Sequence, residues 1–187
     1  MKMKAVTFSY DDGVLQDERL IELFNKYELK CTFNLNSGKL DKRRNLKKIY
    51  EGHEIALHGV CHLHIDSLNK EETEREIIDD AKNLELLFDV EIEGAALAYG
   101  KANEYVNEAY KKAGIKYSRA KEVTQNFDIW HDIYRYRGTC RHSNENLFEL
   151  AEKFIELKPQ NHRFSISGVT HMNLTEKMEC GKGWRIF

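Results

Sequence analysis

Proline is nearly absent: the 187 residues contain one, Pro159. The chain therefore has no proline-rich linker, and proline marks no domain boundary in it. Cysteine is also scarce. Cys31, Cys61, Cys140 and Cys180 stand far apart without a CxxC spacing, which argues against a zinc ribbon and leaves no short disulfide framework. An excess of positive charge is missing as well. The formal net charge is -2, so no nucleic-acid partner is expected, because nothing is left over to neutralise a phosphate backbone. The basic clusters Lys42-Arg43-Arg44 and Lys47-Lys48 have acidic neighbours and read as solvated surface. No apolar run reaches membrane-spanning length, so no membrane partner is expected either. The start, Met1 to Val6, enters a strand-like run with no apolar signal-peptide core, and the expected location is cytoplasmic. The oligomeric state is not legible.

What is present has the balance of an ordinary globular protein, 41% hydrophobic and 32% charged. The length suits one domain over 1–187. Strand-like and amphipathic stretches alternate. Strands are expected at Lys4 to Tyr10, Cys31 to Asn36, Glu54 to Leu57, Ala95 to Tyr99, Ile115 to Ser118 and Arg163 to Val169. Between them lies a helix with Leu20, Leu23, Phe24 and Tyr27 on one face, and the strongest helix spans Asn69 to Phe88. Two more helices are expected, at Asn103 to Ala113, stopped by Gly114, and at Asn144 to Leu157. Such alternation implies a parallel sheet with helices outside it. Asp11-Asp12-Gly13, His58-Gly59 and Tyr99-Gly100 all fall at strand C-termini, where α/β barrels gather their active sites. The expected fold is thus α/β, a distorted or incomplete (β/α) barrel. The sequence stops where a final helix is expected, so the barrel is open or the domain C-terminally shortened.

Two clusters carry chemistry. In Asp11-Asp12, successive side chains of an extended strand point apart, so one carboxylate can hold a metal while its neighbour faces a bound water. A polar turn that ends a strand is the plain alternative. His58 and His62 have the i, i+4 spacing that puts two imidazoles on one side of a helical turn. With one carboxylate they make a two-His, one-acid set with positions open for water and substrate. Two loop histidines at the surface are the alternative. His53 reads as a packed or supporting residue and His64 as a surface residue.

The segments TFSYDDG (Thr7 to Gly13) and GHEIALHGVCH (Gly52 to His62) resemble the first two motifs of the NodB-type polysaccharide deacetylases. Ala95 to Ala120 resembles their third motif and the strand after it, so the likeness runs from Val6 to about Val169. The resemblance implies a deformed (β/α) barrel with a divalent metal at its C-terminal mouth. It also implies metal-assisted hydrolysis of an N-acetyl group on a sugar, oligosaccharide or polysaccharide. Asp12, His58 and His62 would be the metal ligands, Asp11 the general base, and the Tyr99 backbone N–H an oxyanion donor. Ligand type favours zinc, and such a mixed site also takes cobalt, nickel or iron.

The sequence departs from the family in two places. Leu97-Ala98 precedes Tyr99-Gly100 where the family carries Arg or Pro. Arg119 is the candidate substitute, orienting Asp11 by a charge-assisted hydrogen bond; a surface arginine capping a strand is the alternative. The family's late histidine, general acid for the leaving amine, has no counterpart directly after Gly168, and His171 fills that role only if the loop is shifted. Trp130 and the stretch Tyr134 to His142 form either a sugar-stacking wall or part of the core. The leading expectation is a metal-dependent deacetylase. A catalytically impaired, metal-containing carbohydrate-binding domain is the second. A metallophosphoesterase ranks last, since only one metal set is visible.

Overall fold

The computed structural model describes residues 4–128, 132–158 and 163–169, the last stretch as backbone alone. Trp130, His131, His171 and the expected final helix lie outside the described residues. The strands are β1 (Lys4–Asp11), β2 (Thr32–Leu35), β3 (Glu54–Leu57), β4 (Gly94–Ala96), β5 (Tyr117–Val123), β6 (Tyr136–Gly138) and β7 (Arg163–Val169). All pair in parallel in the order β6-β5-β4-β3-β2-β1-β7. Parallel neighbours need long crossovers, and helices supply them. These are α1 (Asp17–Lys26), α2 (Leu46–Ile49), α3 (Lys70–Glu74), α4 (Asp80–Phe88), α5 (Val106–Lys112) and α6 (Leu147–Glu156).

The sheet curls strongly. Strands sit about 4.8 Å apart, so β5 and β1 would be about 19 Å apart if the sheet were flat. Instead Arg119 of β5 reaches across the interior to Ser9 and Asp11 of β1. The edge strands β6 and β7 also approach each other, although no ladder joins them among the described residues. The molecule is thus the incomplete (β/α) barrel expected. No described helix is long and apolar enough to cross a membrane.

Differences from expectation have local causes. On α1 the buried stripe is Leu20, Ile21 and Phe24, because the helix stops at Lys26 and leaves Tyr27 at its C-cap, 36% exposed. Residues 70–88 hold the expected long helix, with Asn69 and Glu72 capping its start reciprocally at 3.0 Å in both bonds. A π-helical turn, Arg75–Asp79, interrupts it. α2 and β6 were too short for periodicity to reveal. Tyr134 belongs to the core side of the alternative drawn for it. Its ring lies 5.6 Å from Tyr110, and its hydroxyl donates to the Ile115 carbonyl at 3.2 Å.

The core between β2, β3 and the helices centres on Phe33, Leu35, Leu57, Ile77 and Leu84, all essentially inaccessible. A carboxyl group intrudes at its edge. Asp17 is buried at the start of α1 and accepts a hydrogen bond from Tyr50 Oη at 2.7 Å. Burial pushes it up to about 7, helped by the Asp12 and Asp11 charges and opposed by the Tyr50 bond and Arg44. A carboxyl raised above its unfolded value stabilises the fold fully below pH about 4 and loses that contribution as pH rises through about 7. The Asp17→Asn variant, metal-free, should therefore gain on wild type by about 1–3 kcal/mol between pH 5 and pH 8. Urea unfolding at the two pH values measures this; an unchanged difference would show that Asp17 is ionised throughout.

Candidate metal and catalytic site

β1 delivers Asp11 and Asp12 to the C-terminal end of the sheet. The expected divergence of their side chains does not occur. Asp12 has a left-handed backbone (φ 82), followed by Gly13 (φ 69), and this turn folds the second carboxylate back beside the first. Gly13 is also confined, since a Cβ there would stand 2.6 Å from Leu40 Cδ2. Both acids consequently face His58: its Nε2 lies 3.9 Å from Asp11 Oδ2 and 4.0 Å from Asp12 Oδ1.

His58 and His62 converge by a different route from the helical turn expected. Residues 58–64 form an irregular loop after β3. Gly59 (φ 86) and His62 (φ 58) bend it back on itself, and the two rings meet edge to face with centroids 4.7 Å apart. A left-handed non-glycine residue costs about 1 kcal/mol or more, so its surroundings must hold it. Several polar groups do so. Asn36 Nδ2 donates to the carbonyls of His58 and Gly59, each at 2.8 Å. The inaccessible Asp80 carboxylate accepts from the backbone N–H of Ser37 at 2.9 Å and of His58 at 3.1 Å. Burial pushes Asp80 up to about 6 despite these bonds. Glu76, in the π turn, accepts from Cys61 N–H at 3.1 Å with its carboxylate and from Val60 N–H at 3.3 Å with its carbonyl.

Asp12, His58 and His62 each offer one ligand atom, all within 4.8 Å of one another; His62 Nε2 is 3.5 Å from Asp12 Oδ1. A tetrahedral ion with bonds of about 2.0–2.1 Å sets its ligands about 3.3 Å apart, so small inward shifts would seat one. His58 Nδ1 lies 2.9 Å from the Ala96 carbonyl, which fixes the tautomer and turns the Nε2 lone pair toward the acids. That Nε2 is buried with no hydrogen-bond partner among the described residues, a donor atom that a divalent cation would satisfy. The residues present fit one.

Asp11 divides its two oxygens. Oδ1 accepts from Asn34 Nδ2 at 2.8 Å and is paired with the Arg119 guanidinium, whose Nε also donates to Ser9 Oγ at 3.0 Å. Oδ2 is buried, has no hydrogen-bond partner among the described residues and faces His58. Burial alone would raise the Asp11 pKa, but the Arg119 charge, His58 and the bonds from Arg119 and Asn34 hold it below the usual carboxylate range. Arg119 is 7% exposed and lies within β5 rather than at its end, so the surface-cap alternative is overturned.

Tyr99 also differs from expectation. It is not the end of β4 but the middle of a short 3-10 turn, Ala98–Gly100, with φ 56. Its side chain is 44% exposed, and its ring centroid lies 4.5 Å from that of His62. His171 lies outside the described residues. His53 precedes β3 and so sits at the other end of the sheet, against Asn25 and Phe33, as a packed residue. Residue-type reasoning missed Ser9, Asn34, Asn36, Glu76 and Asp80. The signal was available: Asn34 and Asn36 interrupt an apolar strand on alternate positions, and Asp80 falls on the stripe of Ile77, Ala81 and Leu84. Buried polar residues of that kind are rarely idle.

The sequence profile of the polysaccharide deacetylase family matches residues 1–118. This chain belongs to that family. No curated protein sequence matches it. Among solved structures, the chain is similar to a family 4 carbohydrate esterase from Streptomyces lividans in complex with acetate, at TM-score 0.61 and 14% identity over 90% of this chain and 80% of that one. A family 4 pseudoenzyme from Bacillus anthracis gives TM-score 0.62 and 15% identity over 90% of this chain and 55% of that one. The Streptococcus pyogenes deacetylase PplD in complex with acetate gives 0.57 and 17% over 62% and 55%. This chain thus spans about 55% of the length of the last two.

Asp80 provides the test of how the loop is held. Asp80→Ala removes the acceptor of the buried Ser37 N–H, while His58 N–H keeps the Leu35 carbonyl at 3.0 Å. It should cost about 1–3 kcal/mol in urea unfolding of the metal-free protein. A loss below about 0.5 kcal/mol would mean that the Asp80 bonds do not support the His58 turn.

Proposed function

We propose that the chain is a metal-dependent deacetylase acting on an N-acetylated carbohydrate. The observation that carries this reading is the unclaimed, buried Oδ2 of Asp11, aimed at the cluster of Asp12, His58 and His62. A metal-stabilised structural site needs no such oxygen beside it. A divalent ion held by Asp12, His58 and His62, zinc by ligand type, would supply Lewis acidity toward an acyl oxygen and a water.

The chain's own groups do the rest. Asp11 Oδ2 takes the proton of the attacking water, and the Arg119 and Asn34 bonds to Oδ1 keep that oxygen in place and ionised. The Tyr99 backbone N–H, on a turn beside His62, serves the tetrahedral oxyanion. His171 is proposed as the acid for the departing amine. The overall step is hydrolysis: water adds to the acetyl carbon, the C–N bond breaks, and acetate and a free amine result.

A second reading, a catalytically impaired metal-containing carbohydrate-binding domain, draws support from the pseudoenzyme among the structural neighbours. One experiment separates the two. Zinc-loaded wild type should carry about one metal per chain and release acetate from N-acetylglucosamine oligomers. Asp11→Asn should keep the metal and lose at least about a hundredfold in rate. Metal without acetate release would favour the binding domain, and no metal after reconstitution would sink both.

The pH profile gives a further check. Asp11 must be ionised to act as base, and its depressed pKa places the acid limb below the usual carboxylate range. Arg119→Met removes the largest of the influences that lower it, so the acid limb of kcat/KM should move to higher pH. A limb that stays in place would exclude Asp11 as the titrating base.

A further inference from the structure

His64 lies two residues beyond His62, outside the proposed metal set, and by sequence it reads as surface. Its imidazole in fact lies flat on Tyr99, with centroids 3.7 Å apart and planes 5° from parallel. Tyr99 in turn meets His62 at 4.5 Å and 69°. The three rings form a row running from the ligand cluster to the rim, and they join the loop after β3 to the loop after β4. Two of the three, His62 and Tyr99, have left-handed backbones, conformations that persist only when neighbouring contacts hold them.

The outer end of the row is anchored separately. Asp66 lies 3.8 Å from His64 Nδ1 and 3.1 Å from Lys101 Nζ. Asn103 Nδ2 donates to the carbonyls of Ile65 at 2.7 Å and Leu68 at 3.0 Å and to Thr73 Oγ1 at 2.8 Å. These contacts fix where the two loops stand but touch neither left-handed residue. The stack does.

We propose that His64 is a positioning residue: by clamping Tyr99 from its open face, it sets the angle at which His62 presents Nε2 to Asp12 and His58. The inference rests on the metal reading above. Because the side chain of His64 is 55% exposed, its stack adds little to global stability, and the effect falls on the ligand instead.

Cobalt(II) titration of the full chain, followed by its visible absorption bands, tests this without any substrate. His64→Ala should weaken cobalt binding roughly three- to tenfold and alter the band shape, with an unchanged melting temperature for the metal-free protein. His64→Phe keeps a flat ring and should restore both affinity and spectrum. Wild-type affinity and spectrum in His64→Ala would overturn the proposal while leaving the metal site standing. A His64→Phe variant as weak as His64→Ala would also overturn it, since imidazole chemistry rather than stacking would then matter. Wild type that binds no cobalt would overturn the metal reading and this inference together.

Discussion

Two carboxylates placed side by side out of water, Asp11 at 4% exposure and Asp12 at 7%, are the constraint around which the rest of this end of the barrel is arranged. Neighbouring buried negative charges are tolerated only when partners of opposite sign or firm hydrogen bonds surround them. Arg119 supplies one full positive charge, brought from the far side of the barrel. That leaves one negative charge, which the proposed cation would offset. Asp17, behind the pair, responds in the other possible way and shifts toward its neutral form. Curling of the sheet is what makes the first solution available, because only a curled sheet lets β5 reach β1.

The same arrangement accounts for what could be read from residue order and what could not. That Asp12, His58 and His62 form one group able to hold a metal ion was legible, because their residue types and their spacing near strand ends are those of a metal set. The way they meet was not legible. Alternation predicted that Asp11 and Asp12 would diverge, and i, i+4 spacing predicted a helical turn for the histidines. The left-handed residues Asp12 and His62 override both patterns, and φ > 0 at a non-glycine residue carries no signature in composition. Arg119 was named, with its orienting role, yet its depth inside β5 depended on a strand that ends five residues beyond Ser118.

Strand assignments succeeded where apolar runs were bounded by polar turns, as at Glu54–Leu57 and Arg163–Val169. They failed for Tyr136–Gly138, three residues whose pairing is set by a neighbour rather than by their own pattern. The supporting shell went unnoticed for a related reason: Asn34, Asn36, Glu76 and Asp80 belong to no motif. Asn36, Glu76 and Asp80 are explained only by the backbone groups they satisfy, which become visible once the loop after β3 has a shape, and Asn34 only by its bonds to Ser9, Tyr10 and Asp11 of β1.

The π-helical turn at Arg75–Asp79 gives the long helix one residue more than an unbroken α-helix would need over the same rise. The extra residue is taken up in one wide turn, so the halves on either side keep their places. Glu76 lies in that turn and holds the loop with both its carboxylate, at Cys61 N–H, and its carbonyl, at Val60 N–H. Asp80, at the turn's C-terminal boundary, addresses Ser37 and His58. Deleting a single residue there would return the helix to α pitch without displacing either half. What would change is the backbone of the stretch that carries Glu76, and with it the grip on Val60 and Cys61.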